Sequence, residues 1–112
     1  MRYVKILNLP DDREMLEKYK KVHSKEHHWR EVREGIRQVG IQEMELYIHR
    51  NQAVMIIDAP DGLDLDAAFA RLATLPRQAE WEAYVAELQG CDPNATSDQK
   101  WQLMERFFHL YD

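Results

Sequence analysis

Residues 41–58, I-Q-E-M-E-L-Y-I-H-R-N-Q-A-V-M-I-I-D, read as two strands joined by a tight turn. In the first half Met44, Leu46 and Ile48 fall on one face and Glu43, Glu45, Tyr47 and His49 on the other. That period of two marks a strand with one buried side. R-N-Q at 50–52 supplies the turn, and Ala53–Asp58 (A-V-M-I-I-D) is more continuously apolar, as a central strand requires. The hairpin sits in the middle of 112 residues, so each half of the chain must supply what packs against it.

Working back from the hairpin, Met15, Tyr19, Val22, Trp29, Val32, Ile36 and Val39 keep a spacing of three to four with one skipped place at Glu26. This predicts a long helix, capped at its start by Asp11 or Asp12 and closed by Gly40, with a kink in the polar run 24–28. Residues 2–9 read as a strand, Val4 and Ile6 alternating against Tyr3 and Lys5, ended by Pro10. Working forward, P-D-G at 60–62 is turn chemistry. Leu65–Thr74 and Gln78–Gln89 are helices broken at Leu75-Pro76, residues 90–98 are loop, and Lys100–Tyr111 alternates as a final strand. The order β-α-β-β-α-β is the split pattern of the ferredoxin-like α+β fold, a four-stranded antiparallel sheet with its helices on one face. The other face is left bare, which predicts a homodimer, with Glu45, Tyr47 and His49 lining a cavity on that open side.

Composition narrows the class. The chain is long enough for one core, a single domain over 1–112, with 45% hydrophobic and 31% charged residues. A net charge of −5 with acids and bases interleaved argues against nucleic acid and anionic membrane as partners. The start, M-R-Y-V-K-I-L-N-L-P, has neither the apolar run nor the cleavage site of a signal peptide, and no stretch is long enough to span a membrane. Cys91 is the single cysteine, so the expected compartment is the reducing cytoplasm.

The chemistry-bearing residues concentrate in Y-K-K-V-H-S-K-E-H-H-W at 19–29. Tyr19 and His23 are four apart, one turn over the other on a helix, and an imidazole beside a phenol can exchange protons near neutral pH. A core tyrosine above a solvated histidine face is the plainer alternative. His23, His27 and Glu31, at i, i+4 and i+8, have metal-ligand spacing but lack the glutamate of H-E-x-x-H, and no metal is expected there. Cys91 lies beside Asp92, and Ser24 and Ser97 lack a G-x-S-x-G setting, so nucleophilic catalysis has no support. What remains is acid–base chemistry from Tyr19, His23, Tyr47 and His49, with Trp29, Trp81 and Trp101 as flat faces. That combination suits a carbohydrate, whose C–H faces pack on indoles while its hydroxyls take hydrogen bonds.

Five segments in order carry a family resemblance: Y-K-K-V-H at 19–23, W-R-E-V-R-E-G-I-R-Q-V-G-I at 29–41, M-E-L-Y-I-H-R-N at 44–51, Q-A-E-W-E at 78–82 and K-W-Q-L-M-E-R-F-F-H-L at 100–110. Together they resemble the L-rhamnose mutarotase family, small ferredoxin-like dimers that interconvert sugar anomers without a cofactor, and in particular its L-fucose branch. The resemblance implies that His23 is the acid–base histidine with Tyr19 as its partner. It implies that Trp81 packs on the sugar, that Tyr47 reaches the pocket from the second strand, and that Trp29 belongs to the binding site. Three departures stand out. His23 and Trp29 are six apart where the family has four, Arg30 replaces a proline, and Glu80 stands where rhamnose members carry a tryptophan. Two inserted residues would turn a continuous helix by about 200° at 3.6 residues per turn, so a bulge or loop must absorb them. His23, His27 and His28 all remain candidates for the working position.

The implied activity is mutarotation of a 6-deoxy-L-hexose, L-fucose or L-rhamnose, by a cytoplasmic isomerase that needs no cofactor and takes a monosaccharide as its ligand. A small ferredoxin-like monooxygenase and a non-catalytic binding module are the alternatives that anomer exchange would separate from it.

Overall fold

The computed structural model describes residues 1–111, and the chain order is strand β1 (Arg2–Asn8), helices α1 (Arg13–Val22) and α2 (Arg30–Gln38), strands β2 (Glu43–His49) and β3 (Gln52–Asp58), helices α3 (Leu65–Leu72), α4 (Gln78–Gln89) and the short α5 (Ser97–Lys100), then β4 (Gln102–Leu103). The sheet is antiparallel with order β2-β3-β1-β4, as a ferredoxin-like fold requires. Among the described residues no helix is long and apolar enough to cross a membrane.

Register decides which residues meet the helices. Tyr3, Lys5 and Leu7 of β1 pair with Ile57, Met55 and Ala53 of β3, which pair in turn with Met44, Leu46 and Ile48 of β2. These rows share the face covered by helices, where Ile57, Met55 and Leu7 join Tyr19, Val22, Phe69, Leu72, Trp81 and Val85 in one core. Each fully buried large apolar side chain there contributes roughly 1.5–3 kcal/mol relative to exposure. The β2 reading holds, with Met44 and Ile48 inward and Glu45 and Tyr47 outward.

The β1 strand forms as expected, and it turns a charged residue inward. Lys5 is only 4% exposed and faces the helices, while Val4 and Ile6 lie on the open face. Alternation alone could not foresee this, because the lysine's partners come from the far end of the chain. Its Nζ reaches Asp98 Oδ1 at 3.1 Å and stands 4.2 Å over the Phe69 ring. A buried cation is tolerated when it is paired in this way.

The single long helix expected from the Asp11 or Asp12 cap to Gly40, with a kink at 24–28, is two helices. The Asp12 side chain caps α1 by accepting from Met15 N, and the helix stops at Val22. Residues 23–29 form turns in which the Ser24 carbonyl accepts from both His27 N (3.2 Å) and His28 N (2.9 Å). α2 then restarts with Trp29 as its N-terminal flank. The polar run thus becomes a break, and α2 keeps Gly35 buried and Val32 and Ile36 packed against the core. α2 crosses α4 closely at the buried Gly35, where an added Cβ would overlap the Gln78 amide. That amide donates to the Glu31 carbonyl at 3.0 Å and lies 3.4 Å from that of Val32.

The expected final strand from Lys100 to Tyr111 is also corrected. Residues 97–100 form a helical turn with a Thr96–Gln99 capping box. β4 then pairs with β1 for two residues, and Met104 N adds one bond to the Val4 carbonyl at 2.8 Å. Residues 105–110 carry no regular structure, and Phe107 is 91% exposed. An alternating pattern makes a strand only where a neighbour supplies the ladder.

Candidate functional site

A cavity of about 420 Å³ opens between the helices and the covered face of the sheet. Tyr19 and His23 from the end of α1, His28 and Trp29 from the following loop, and Trp81 from α4 all line it. Met44, Leu46 and Met55 of the sheet's covered face contribute the apolar floor. The cavity therefore lies on the side opposite to the one the sequence suggested. Tyr47 points the other way, 54% exposed on the open face, and does not line it. The correction follows from strand geometry, since a side chain one residue from Leu46 must leave the sheet on the other side.

His23 sits where α1 ends, and that ending sets its chemistry. Its backbone N–H turns to the Lys20 carbonyl (3.2 Å), while its ring Nδ1 lies 2.7 Å from the carbonyl of Tyr19. A carbonyl can only accept, so Nδ1 carries the proton and Nε2 is left with a free lone pair. Burial holds the imidazole below its ordinary value, more than the Tyr19 carbonyl raises it, and the nearby Arg33 guanidinium adds to the lowering. At neutral pH His23 is therefore a neutral base with a defined tautomer. Arg33 also ties the loop down by donating to the His23 carbonyl at 3.2 Å.

The rings around His23 are packed edge to face. Tyr19 lies 4.6 Å from it and Trp81 5.3 Å, centroid to centroid. Trp29 lies 5.3 Å from Trp81 and stacks on Tyr84 at 5.4 Å, with the Arg77 guanidinium 4.0 Å over its ring. Such arrangements add about 0.5–1.5 kcal/mol per aromatic pair beyond burial and hold the wall rigid. His27 is exposed, hydrogen-bonded to Ser24 Oγ at 3.1 Å and outside the cavity. His28 lines it with an Nδ1 that has no partner. The helix break ends the i, i+4, i+8 relation of His23, His27 and Glu31, and no cluster of three metal-ligand side chains occurs among the described residues.

Tyr19 is buried, and burial pushes its phenol up to about 12, against the lowering effect of a hydrogen bond from Gln89. That bond, Gln89 Nε2 to Tyr19 Oη at 3.2 Å, belongs to a buried polar group the sequence reading overlooked. Glu82, Gln89 and Lys100 complete it, and Glu82 and Gln89 line the cavity with Gln78. A signal was present. Gln78, Glu82 and Gln89 occupy the same helical stripe as Trp81 and Val85, where a core-facing helix would otherwise be apolar.

The family model described as L-rhamnose mutarotase matches residues 2–110. The chain belongs to the L-rhamnose mutarotase family. An L-fucose mutarotase from Xanthomonas campestris pv. campestris is 31% identical over 105 residues, covering 94% of this chain and 84% of the relative. A UPF0734 protein from Dictyostelium discoideum is 30% identical over 88 residues, 78% of this chain and 69% of its own. Among solved structures, the L-rhamnose mutarotase of Formosa agariphila superposes with a TM-score of 0.71 at 17% identity, covering 98% of both chains. The tetracenomycin F2 cyclase of Streptomyces glaucescens follows with a TM-score of 0.54 at 18% identity, covering 97% of this chain and 95% of its own, a likeness of fold. Membership in the rhamnose mutarotase family makes the chain a sugar mutarotase, an enzyme of the isomerase type.

Proposed function

We propose that this mutarotase interconverts the α and β anomers of a 6-deoxy-L-hexose, L-fucose or L-rhamnose, in the cytoplasm, with His23 and Tyr19 as its acid–base pair. The observation that carries the reading is the His23 Nδ1 contact with the Tyr19 carbonyl, which leaves Nε2 as a free base at the cavity wall. Ring opening removes the proton from the anomeric hydroxyl, breaks the bond between C1 and the ring oxygen, and delivers a proton to that oxygen. His23 Nε2 takes the first proton and the Tyr19 hydroxyl gives the second. Rotation about C1–C2 turns the aldehyde over, and closure returns both protons to where they began. No cofactor is needed, because nothing is oxidised and no group leaves.

The uncatalysed reaction is itself rapid, so a general acid–base gain of about 10²–10⁴ is enough for function. Trp81 and Trp29 offer the indole faces for the sugar's C–H surface, and the cavity volume falls in the usual range of small-molecule sites. The relatives named for L-fucose and L-rhamnose support the choice of sugar. The reading includes a homodimer formed through the open sheet face. Proton NMR saturation transfer between the α and β anomers tests the activity, with enhanced exchange expected for one of the two sugars. Exchange at the buffer rate for both would refute the substrate assignment.

A further inference from the structure

A buried hydrogen-bond cluster backs the cavity. The Lys100 side chain is completely buried, and its Nζ stands 2.7 Å from the Glu82 carbonyl, 3.0 Å from Glu82 Oε1 and 2.8 Å from Gln89 Oε1. An ammonium has three protons and no lone pair, so these three acceptors saturate it. Glu82 and Gln89 can share the task because they are seven residues apart, on one face of α4.

This saturation has a directional consequence. Gln89 must present its oxygen to Lys100, since its amide nitrogen would meet the ammonium donor to donor. Its Nε2 is thereby turned toward Tyr19 Oη, 3.2 Å away. An amide nitrogen only donates, so the phenol oxygen accepts. The phenol's own proton then has no acceptor among the described residues, and Tyr19 lines the cavity.

We propose that Lys100, acting through Gln89, is a positioning residue that commits the Tyr19 hydroxyl to donate into the cavity. The proposal rests on the mutarotase reading and assigns the direction of proton flow within it. Tyr19 gives its proton to the ring oxygen as C1–O5 breaks and recovers it on closure, while His23 handles the anomeric oxygen. When the phenolate forms, the Gln89 N–H already points at it, so the charge is stabilised by a donor that need not reorient. A phenol held near 12 by burial would otherwise be a reluctant acid.

Gln89→Glu tests this, because it preserves size and the contact to Lys100 while reversing one hydrogen bond. A carboxylate can only accept, so Tyr19 would donate to residue 89 and be lost to the sugar. We expect kcat to fall about tenfold with KM within twofold of the parent, thermal stability to be retained, and no further loss when the change is added to Tyr19→Phe. A purely structural role predicts independent, additive effects. A substrate-free measurement accompanies it, in which the Tyr19 hydroxyl proton, detected through ¹³Cζ-labelled tyrosine, should move strongly downfield in Gln89→Glu. Should that variant not fold, Gln89→Met removes the same N–H and should slow kcat several-fold in the parent but not in Tyr19→Phe. Unchanged kcat together with an unmoved hydroxyl resonance, or fully additive losses, would overturn the relay. If the parent protein accelerates no anomer exchange, the functional reading fails instead, and the resonance alone still decides the hydrogen-bond direction.

Discussion

The two faces of one sheet, built from alternate residues of the same strands, have opposite characters. On the covered face Ile57, Met55 and the paired Lys5 are sealed under the helices, and the cavity fills what the helices leave open. On the other face Val4, Ile6, Val54 and Ile56 are only half covered, and Tyr47 and Met104 stand exposed. The difference teaches where function and association divide. On the face bearing the cavity the buried side-chain polar groups are satisfied among the described residues apart from His28 Nδ1. The apolar face has no covering of its own, and a second copy is the occupant our reading gives it.

The comparison is broken most severely from the cavity side. His23→Asn removes the titrating nitrogen while keeping size, and should lower kcat about 10²–10³-fold with little change in sugar binding, as followed by NMR exchange and ligand titration. His27→Asn, off the cavity, should stay within twofold of the parent. A reversal of those two results would move the catalytic position along the loop.

Trp81→Ala should raise KM about tenfold, since stacking contributes alike to substrate and transition state. Tyr47→Ala, on the opposite face, should change KM less than twofold. A tenfold rise there would mean that a partner copy carries Tyr47 to the sugar. Ile56→Lys, placing a charge amid the open face, should convert a dimer to a monomer in light scattering. A monomeric parent would instead sink the dimer.

The pH profile sharpens the contrast more gently. His23 titrates below the ordinary imidazole value of 6.5, so its base form persists to lower pH and the acid limb of kcat/KM should fall below 6.5. The sign for stability is the same. Between the unfolded value and the depressed folded one the unfolded chain binds the extra proton, so stability declines as pH falls through that window. His23→Asn should remove this part of the decline in thermal scans. Gly35→Ala should act on stability, where better helix propensity opposes displacement of the Gln78 amide. A net loss of about 1 kcal/mol, several degrees in Tm, should be seen by calorimetry.

Periodicity in the sequence determined the element order, the antiparallel hairpin and the inward row Met44, Leu46 and Ile48, because alternation and 3–4 spacing are local and need no knowledge of neighbours. It marked Tyr19 and His23 as residues to watch for a similar reason, four-residue spacing and side-chain chemistry being visible along the chain, whereas Trp81 was set apart from the other tryptophans only by the family resemblance. Long-range contact decided the rest. Lys5 turned inward because Asp98 and Phe69 came to meet it, and the cavity opened beneath the helices because the pleat sends Leu46 and Tyr47 to opposite sides. The final strand shortened to two residues because an alternating segment without a facing strand has no ladder to join. The state of the proposed catalytic pair was decided in the same way. The tautomer of His23 depends on a carbonyl freed by a helix end, and the donor role proposed for Tyr19 depends on a lysine 81 residues away that no spacing rule connects to it.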